Sequence, residues 1–164
     1  MNKISIRPAN DQDTQTLGDM YYEFHELHAR GVPSHLRSLG KKDQWERTNF
    51  HQALENIFNN DDAQIFLAEI EGKPVGLIEV YVRQDEDNPC IVPHKYMLLQ
   101  SLMVLEGFRQ NGIGKQLVKS AKEWAKRKGA TEIRLEVWNF NSEARHFYKK
   151  LGFRTIKRGM EAEL

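Results

Sequence analysis

The chain has 164 residues, of which 40% are hydrophobic and 29% are charged, and its formal net charge at pH 7 is +1. This composition is typical of a globular protein, and the length indicates a single domain over residues 1–164. The balanced charge excludes the strongly basic character that binds nucleic acid or anionic membranes, so we expect neither as a partner.

The cysteine content and the apolar runs indicate a cellular location. The chain has one cysteine, Cys90, so no disulfide can form within it, which suits a reducing compartment. Residues 1–7 are too polar for a secretory signal, and no apolar run approaches the about 20 residues that cross a membrane. We therefore expect a cytoplasmic protein.

The N-terminal residues predict a strand followed by a helix. Residues 4–7 alternate between apolar and polar and stop before Pro8, as in a short strand. Asp11 and Asp13 can cap a helix whose apolar positions recur over residues 17–28. His25 and His28 lie on one face of that helix, but no third metal ligand accompanies them, so we expect no metal site.

A second helix and a β-hairpin come next. Residues 43–58 have partly periodic apolar positions, which predict a helix. Residues 63–70 and 75–82 are rich in strand-forming side chains and are joined by a short turn that contains Gly72, which predicts the hairpin. An acidic loop follows over residues 83–94.

The central stretch predicts a strand, a glycine turn and a helix. Residues 96–105 form an apolar run of the length of a buried strand, and Gly112 and Gly114 lie at the start of the next helix, which ends at Gly129. Glycines at a helix start leave backbone N–H groups uncovered, and the helix dipole is positive there. This end of the helix therefore suits an anion.

Two common phosphate-binding loops do not fit this turn. The P-loop needs Lys followed by Ser or Thr after its second glycine, where this chain has Ile113 and Gly114. The dinucleotide-binding loop needs a third glycine, and Leu117 stands in that place. Nucleotide hydrolysis and dinucleotide binding are thus disfavoured.

The C-terminal part predicts a strand, a helix and a closing element. Residues 132–138 alternate as a strand. Asn141 or Ser142 can cap a helix that ends at Gly152. Residues 153–164 are predicted to form a closing strand or hairpin.

Two motifs in this half resemble those of one superfamily. Arg109-x-x-Gly112-x-Gly114 resembles the pyrophosphate loop of the GNAT N-acetyltransferases, Gln/Arg-x-x-Gly-x-Gly/Ala. A second segment is similar to the family's other signature: Asn141-x-x-Ala144-x-x-Phe147-Tyr148-x-x-x-Gly152-Phe153. The order of the predicted elements also matches. The resemblance implies a mixed α/β (α+β) fold, in which a mostly antiparallel sheet with a V-shaped splay between two central strands is flanked by about four helices.

The resemblance also implies acetyl-CoA as cosubstrate, without a metal. Backbone groups of the central strand would pair with the pantetheine arm, and the glycine loop would hold the pyrophosphate. Asn141 either contacts the pantetheine arm or only caps its helix. The implied cofactor-binding residues are Leu102, Met103, Val104, Arg109, Gln110, Asn111, Gly112, Ile113, Gly114, Lys115, Asn141 and Tyr148.

The resemblance assigns Tyr148 as the acid that protonates the departing CoA thiolate. Family members often carry a general base on the strand before the loop, where this chain has Gln100 and Ser101. We therefore select Glu79 on the hairpin as the catalytic base. Glu136, His94 or a water molecule remain alternatives.

The implied function is an acetyl-CoA-dependent N-acetyltransferase that acetylates a primary amine by direct transfer in a ternary complex. The acceptor is a small molecule or a peptide, and the acidic side chains of the first helix and of residues 83–94 suit a cationic one. Two alternatives are a CoA-binding regulatory domain without catalysis and an acyltransferase for a longer acyl-CoA. A homodimer is compatible with the sequence.

Overall fold

The computed structural model describes residues 3–33, 50–90 and 92–164. Within them, five strands form one sheet in the order β1-β2-β3-β4-β5. The first four strands pair antiparallel with their neighbours, and β5 is parallel to β4. The strands are β1 (Ile4–Pro8), β2 (Ala63–Ile70), β3 (Lys73–Gln84), β4 (Lys95–Val104) and β5 (Glu132–Leu135).

Four α-helices in the described residues flank this sheet: α1 (Thr14–Ala29), α2 (Phe50–Phe58), α3 (Ile113–Arg127) and α4 (Ser142–Lys150). One core cluster joins α1 and α2 to the sheet through Leu17, Leu54 and Leu77. A second cluster joins α3 to the sheet and includes Leu117 and Ile78. The mixed α/β fold implied by the resemblance is therefore confirmed. The predicted start of the second helix at residue 43 lies outside the described residues.

The entry into α1 differs in detail from the prediction. Asn10, rather than Asp11 or Asp13, is the capping residue, and its side chain accepts a hydrogen bond from the Gln12 N–H. The Asp13 carboxylate accepts the Asn10 N–H in return, at 2.9 Å. Arg7 binds both Asp13 oxygens at 2.8 Å and so ties β1 to this turn.

A β-bulge in the middle of β4 changes which side chains face each helix layer. Glu79 pairs with Ser101 and Val80 pairs with Leu99, so Gln100 has no partner on β3. Before the bulge, Leu99 belongs to the cluster under α3; after it, Met103 belongs to the cluster under α1. The extra residue therefore reverses the alternation, so that odd-numbered side chains face α3 before the bulge and α1 after it.

The splay between the two central strands starts at this bulge. The parallel pairing of β4 with β5 ends at Leu99 and Leu135. Strand β5 is therefore shorter than the predicted strand over residues 132–138, and Trp138 beyond it is 42% exposed. Strand β4 continues to Val104 with β3 on one side and no described strand on the other.

The closing strand predicted over residues 153–164 does not form, since this segment has no regular secondary structure. Its apolar side chains at Phe153, Ile156, Met160 and Leu164 are three or four residues apart, whereas a strand with one buried face needs a spacing of two. Ile156 and Met160 are accordingly exposed.

Candidate active site

The free edge of β4 presents two residues to the splay. The Leu105 N–H donates to the Val75 carbonyl on β3 at 2.9 Å. Because backbone groups point to alternate sides along an antiparallel strand, those of Leu102 and Val104 point away from β3, and those of Met103 point toward it. The Met103 side chain is also buried in the core. Of the three predicted strand contacts, Leu102 thus directs both of its backbone groups away from β3. Val104 does the same, and its carbonyl accepts a hydrogen bond from Arg109.

The turn after β4 is held by its own side chains. The Arg109 Nε donates to the Val104 carbonyl at 3.0 Å. The Asn111 amide donates to the carbonyls of Phe108 and Arg109 at 3.3 and 3.2 Å. Gln110 and Gly112 have φ angles of 63° and 78°, so the chain reverses sharply there before α3 begins. These contacts fix the start of the helix relative to the open strand edge.

The first turn of α3 has free backbone donors. Gly112 is the capping residue, and no side chain accepts a hydrogen bond from this turn. The first intrahelical bond runs from the Gln116 N–H to the Gly112 carbonyl, so the N–H groups of Ile113, Gly114 and Lys115 have no acceptor within the helix. The buried Ile113 side chain anchors the turn, and exposed Lys115 adds positive charge. This arrangement suits a phosphate group.

Tyr148 is fixed by the end of its own helix. The Phe153 N–H donates to the Tyr148 carbonyl and the Gly152 N–H to the Lys149 carbonyl, both at 3.0 Å, with Gly152 at φ 89°. This is a Schellman motif, and the Phe153 ring lies 5.5 Å from that of Tyr148. The final Gly-Phe of the second signature therefore positions the tyrosine.

Tyr148 has the surroundings of a proton donor. Burial raises its pKa to about 12, so the phenol keeps its proton at neutral pH. Its hydroxyl makes no hydrogen bond to any residue that the structure describes. Tyr148, Leu102 and Val104 all pack against the core cluster under α3. The role of Tyr148 as the acid stays a prediction.

Asn141 is the capping residue of α4. Its side-chain oxygen accepts the Ala144 N–H at 3.0 Å, so Asn141 caps the helix. Contact between Asn141 and the pantetheine arm stays a prediction. The neighbouring Glu143 lies 3.9 Å from an Arg109 guanidinium nitrogen. The helix signature and the loop signature are thus adjacent in space.

Glu79 lies on the opposite face of the sheet, beside the bulge. It is 7% exposed and accepts two hydrogen bonds, from the Tyr21 hydroxyl at 2.5 Å and from the Tyr81 hydroxyl at 2.6 Å. Burial, followed by the nearby Glu79 charge, raises the pKa of Tyr21. Burial, followed by the hydrogen bond to Glu79, raises the pKa of Tyr81. Both phenols therefore stay protonated and act as donors.

These two tyrosines were not among the predicted site residues. Tyr81 follows Glu79 by two residues on a strand, and this spacing puts both side chains on one face of the sheet. Tyr21 lies in the apolar stripe of α1, and a buried tyrosine hydroxyl usually finds a partner. That partner is 58 residues away in sequence, so its identity depends on the fold.

The other two base candidates lie away from the bulge. His94 precedes β4 and is therefore six residues from Gln100, about 20 Å along an extended strand. Its ring lies 3.9 Å from Asp85. Glu136 is exposed just beyond the end of β5.

The acidic loop forms an open cleft at the far end of β4. This cleft has a volume of about 600 Å³ and is lined by residues that include Glu86, Asp87 and His94. Asp85 is held there by the Arg134 guanidinium, which donates to both its oxygens, and this contact lowers the Asp85 pKa to about 2. The charge of Asp85, one of the acids predicted to attract a cation, is thus already paired with Arg134.

Two kinds of feature are not found in the described ranges. No group of three or more His, Cys, Asp or Glu side chains there is arranged to hold a metal ion. None of the helices found there combines the length and the apolar character needed to cross a membrane.

Comparison with known proteins identifies the family. The sequence matches the Acetyltransferase (GNAT) family over residues 21–153. The aminoglycoside N(6')-acetyltransferase type 1 of Salmonella typhimurium is 29% identical over 104 residues, which make up 63% of this chain and 71% of that protein.

Two solved structures share the fold. The tetramutant of the BH1408 protein from Bacillus halodurans has a TM-score of 0.85 at 25% identity, over 98% of this chain and 99% of that one. The aminoglycoside N-acetyltransferase AAC(6')-Iy, solved in complex with CoA, has a TM-score of 0.76 at 22% identity, over 100% of this chain and 96% of that one.

The family match includes both signature motifs, so the resemblance inferred from the sequence is confirmed. This chain belongs to the acetyltransferase (GNAT) family and is an N-acetyltransferase.

Proposed function

We propose that the protein transfers the acetyl group of acetyl-CoA to a primary amine by direct attack within a ternary complex. One observation carries this proposal. The free edge of β4 beyond the bulge leads, through a turn fixed by Arg109, to the start of α3, where no side chain accepts the free N–H groups. An extended amide-bearing arm that ends in a pyrophosphate is complementary to such an arrangement.

The residues fit the two parts of the cosubstrate. Leu102 and Val104 offer outward backbone groups that can pair with the pantetheine amides as an added strand would. The N–H groups of Ile113, Gly114 and Lys115 can bind the pyrophosphate, mainly through the backbone. Arg109 is already bonded to the Val104 carbonyl, so we assign it to holding the turn beside the pyrophosphate.

The chemistry needs three proton transfers. An ammonium acceptor first loses a proton to the base, and its nitrogen then attacks the thioester carbonyl carbon. The new C–N bond forms and the C–S bond breaks, with the departing thiolate taking the Tyr148 proton. The nitrogen that has attacked loses its second proton, which returns to the Tyr148 phenolate and leaves a neutral amide. Glu79 is the base we assign, because it is the buried carboxylate beside the point where β4 and β5 separate.

The acceptor that we propose is a cationic small molecule or peptide. Glu79 supplies negative charge near the bulge, and Glu86 and Asp87 remain exposed along the acidic loop. The Salmonella relative, by its name, acetylates an amino group of aminoglycosides, which are polycationic. An acceptor of that chemical class is the first to test.

A direct assay tests this function. The protein is incubated with acetyl-CoA and a panel made of neamine, spermidine and a peptide with a free N-terminus, and free thiol and the acetylated amine are both measured. We expect amine-dependent thiol release with matching product. CoA binding by calorimetry without product from any amine would instead favour the regulatory domain. Faster release from butyryl-CoA would favour the longer-acyl alternative.

A further inference from the structure

The Glu79 carboxylate is closed to direct contact with an acceptor. It is 7% exposed, with Tyr21 on one oxygen and Tyr81 on the other. A base must reach the proton that it removes within hydrogen-bond distance or through an intermediate group. If Glu79 is the base, the proton has to arrive through one of the two phenols.

The two tyrosines differ in their surroundings. Tyr21 packs against the core cluster under α1, with its ring 5.9 Å from that of Phe50 on α2. Tyr81 belongs to neither core cluster, and the Arg83 guanidinium lies over its ring at 5.4 Å. Tyr81 is therefore the phenol on the accessible side of the carboxylate.

Tyr81 also lies where the splay begins. On β4, Glu79 faces Ser101 and Tyr81 faces Leu98, so the two residues straddle the bulge at Gln100. The pairing of β4 with β5 ends within this interval, at Leu99. An acetyl group held where β4 and β5 separate would be close to the sheet face that carries Tyr81.

We propose that Tyr81 is a catalytic proton relay between the acceptor amine and Glu79, an assignment that rests on the proposed function. The acceptor ammonium donates a proton to the Tyr81 hydroxyl oxygen as that hydroxyl passes its own proton to Glu79. Tyr81 ends as a neutral phenol, Glu79 ends as a carboxylic acid, and the amine ends neutral with a lone pair. Tyr21 is a positioning residue that holds the other oxygen of Glu79.

The raised pKa of Tyr81 agrees with a relay rather than with a tyrosinate base. Burial and the neighbouring carboxylate disfavour the ionised phenol. The hydroxyl therefore gives up its proton only as it receives another.

Four variants, each assayed with every panel amine that the wild type acetylates, test the relay. Tyr81→Phe and Glu79→Gln should each lower kcat by about 10²–10⁴-fold with an unchanged KM for acetyl-CoA. Tyr21→Phe should lower the melting temperature and reduce kcat far less. Tyr96→Phe is the matched control, since it removes a hydroxyl from the same sheet face, where its ring packs on Arg134. Its kcat should not change.

The pH dependence separates a relay from a structural role. In Tyr81→Phe, only acceptor molecules that are already neutral can react. The neutral fraction rises about tenfold for each pH unit as the pH is raised toward the acceptor's own pKa, so the loss of kcat relative to wild type should shrink by the same factor. Among the described residues, Tyr21 from α1 and Arg83 on β3 bring polar or charged groups to this pair. The residues opposite the pair on the neighbouring strands do not ionise: Ile65 and Ala63 on β2, and Ser101 and Leu98 on β4. The raised pKa of Tyr21 keeps that phenol protonated in the assay range.

The outcomes separate this assignment from the proposed function. If the wild type acetylates amines while Tyr81→Phe stays within about threefold of it, the relay is wrong and the function stands. Equal losses in Tyr21→Phe and Tyr81→Phe, or a deficit that does not vary with pH, would show that both tyrosines only hold Glu79. A wild type that acetylates no amine would overturn both. Circular dichroism and the CoA-induced rise in melting temperature establish that each variant is folded and binds cosubstrate.

Discussion

Gly114 lies against the ring of Phe147, so that a Cβ atom on Gly114 would stand 3.1 Å from the Phe147 Cζ. One residue belongs to the loop signature and the other to the helix signature. Gly112 is different, because a Cβ there would meet nothing within 4 Å, but its φ angle is 78°. The two glycines of one motif are thus required for different reasons, helix packing at Gly114 and backbone conformation at Gly112. From the sequence, both glycines were expected only to leave backbone N–H groups uncovered for an anion.

The first prediction compares these glycines. Gly114→Ala should overpack the α3–α4 contact and destabilise the fold by about 1–3 kcal/mol. Gly112→Ala should cost about 1–2 kcal/mol through backbone strain alone. Urea unfolding measures both.

Phe147→Leu provides the control, because it replaces the ring against Gly114 by a smaller side chain. This substitution should relieve the overlap with Gly114→Ala, so the double variant should be more stable than the sum of the two single effects predicts. It should give no such relief to Gly112→Ala. Strict additivity in the Gly114 pair would contradict the packing explanation.

The second prediction concerns ligand-induced stability. A ligand that binds only the folded state adds about 2.7 kcal/mol of stability at a hundredfold excess over its Kd. CoA and acetyl-CoA should both raise the melting temperature in this way. NAD and ATP should raise it much less, because the turn lacks residues that their binding loops need. Equal shifts from NAD would contradict the assignment of the α3 start to CoA.

The sequence predicted the elements whose periodicity is local. The helix ending at Gly129 and the one ending at Gly152 were both recognised because a glycine at positive φ closes each of them. The same local reasoning located the hairpin of β2 and β3. It failed at residues 153–164, where a closing strand or hairpin was predicted and no regular secondary structure forms.

The features that form the site are non-local. Residues 96–105 are apolar except for the adjacent pair Gln100 and Ser101, so no regular alternation marks the bulge at Gln100 or shows that β5 leaves after Leu135. The Glu79 environment depends on a tyrosine from α1. The sequence could therefore name Glu79 and Tyr148, and only the structure shows that Glu79 bonds to a tyrosine of α1 while Tyr148 packs against the core cluster under α3.

The third prediction concerns the acid stability of the N-terminal turn. The hydrogen bonds from Arg7 lower the pKa of Asp13 below its usual value. A carboxyl whose folded pKa is lowered adds stability above its unfolded pKa of about 3.9 and loses that contribution as the pH falls through the folded value. Asp13→Asn keeps an acceptor for the Asn10 N–H but removes the charge. It should cost about 1–3 kcal/mol at neutral pH.

That cost should decline as the pH is lowered through the Asp13 titration, until wild type and variant unfold with the same free energy. Urea unfolding at a series of pH values measures the difference. Asp11→Asn is the matched control, since Asp11 is exposed on the same turn, and it should show little cost at any pH. A constant difference for Asp13→Asn would point to lost packing instead of lost charge.

The last prediction concerns Tyr148. Tyr148→Phe removes one hydroxyl and leaves the ring contacts with Phe147 and Phe153, at 5.4 and 5.5 Å, in place. The fold should survive, and acetyl-CoA affinity should change by no more than one hydrogen bond, about 0.5–1.5 kcal/mol. Turnover should fall by about 10²–10⁴-fold, because a positioned general acid acts in the transition state. Calorimetry and single-turnover thiol release measure the two quantities separately. Turnover of Tyr148→Phe within about threefold of wild type, with chemistry rate-limiting, would show that Tyr148 is a packing residue. The CoA thiolate would then leave without a proton from Tyr148.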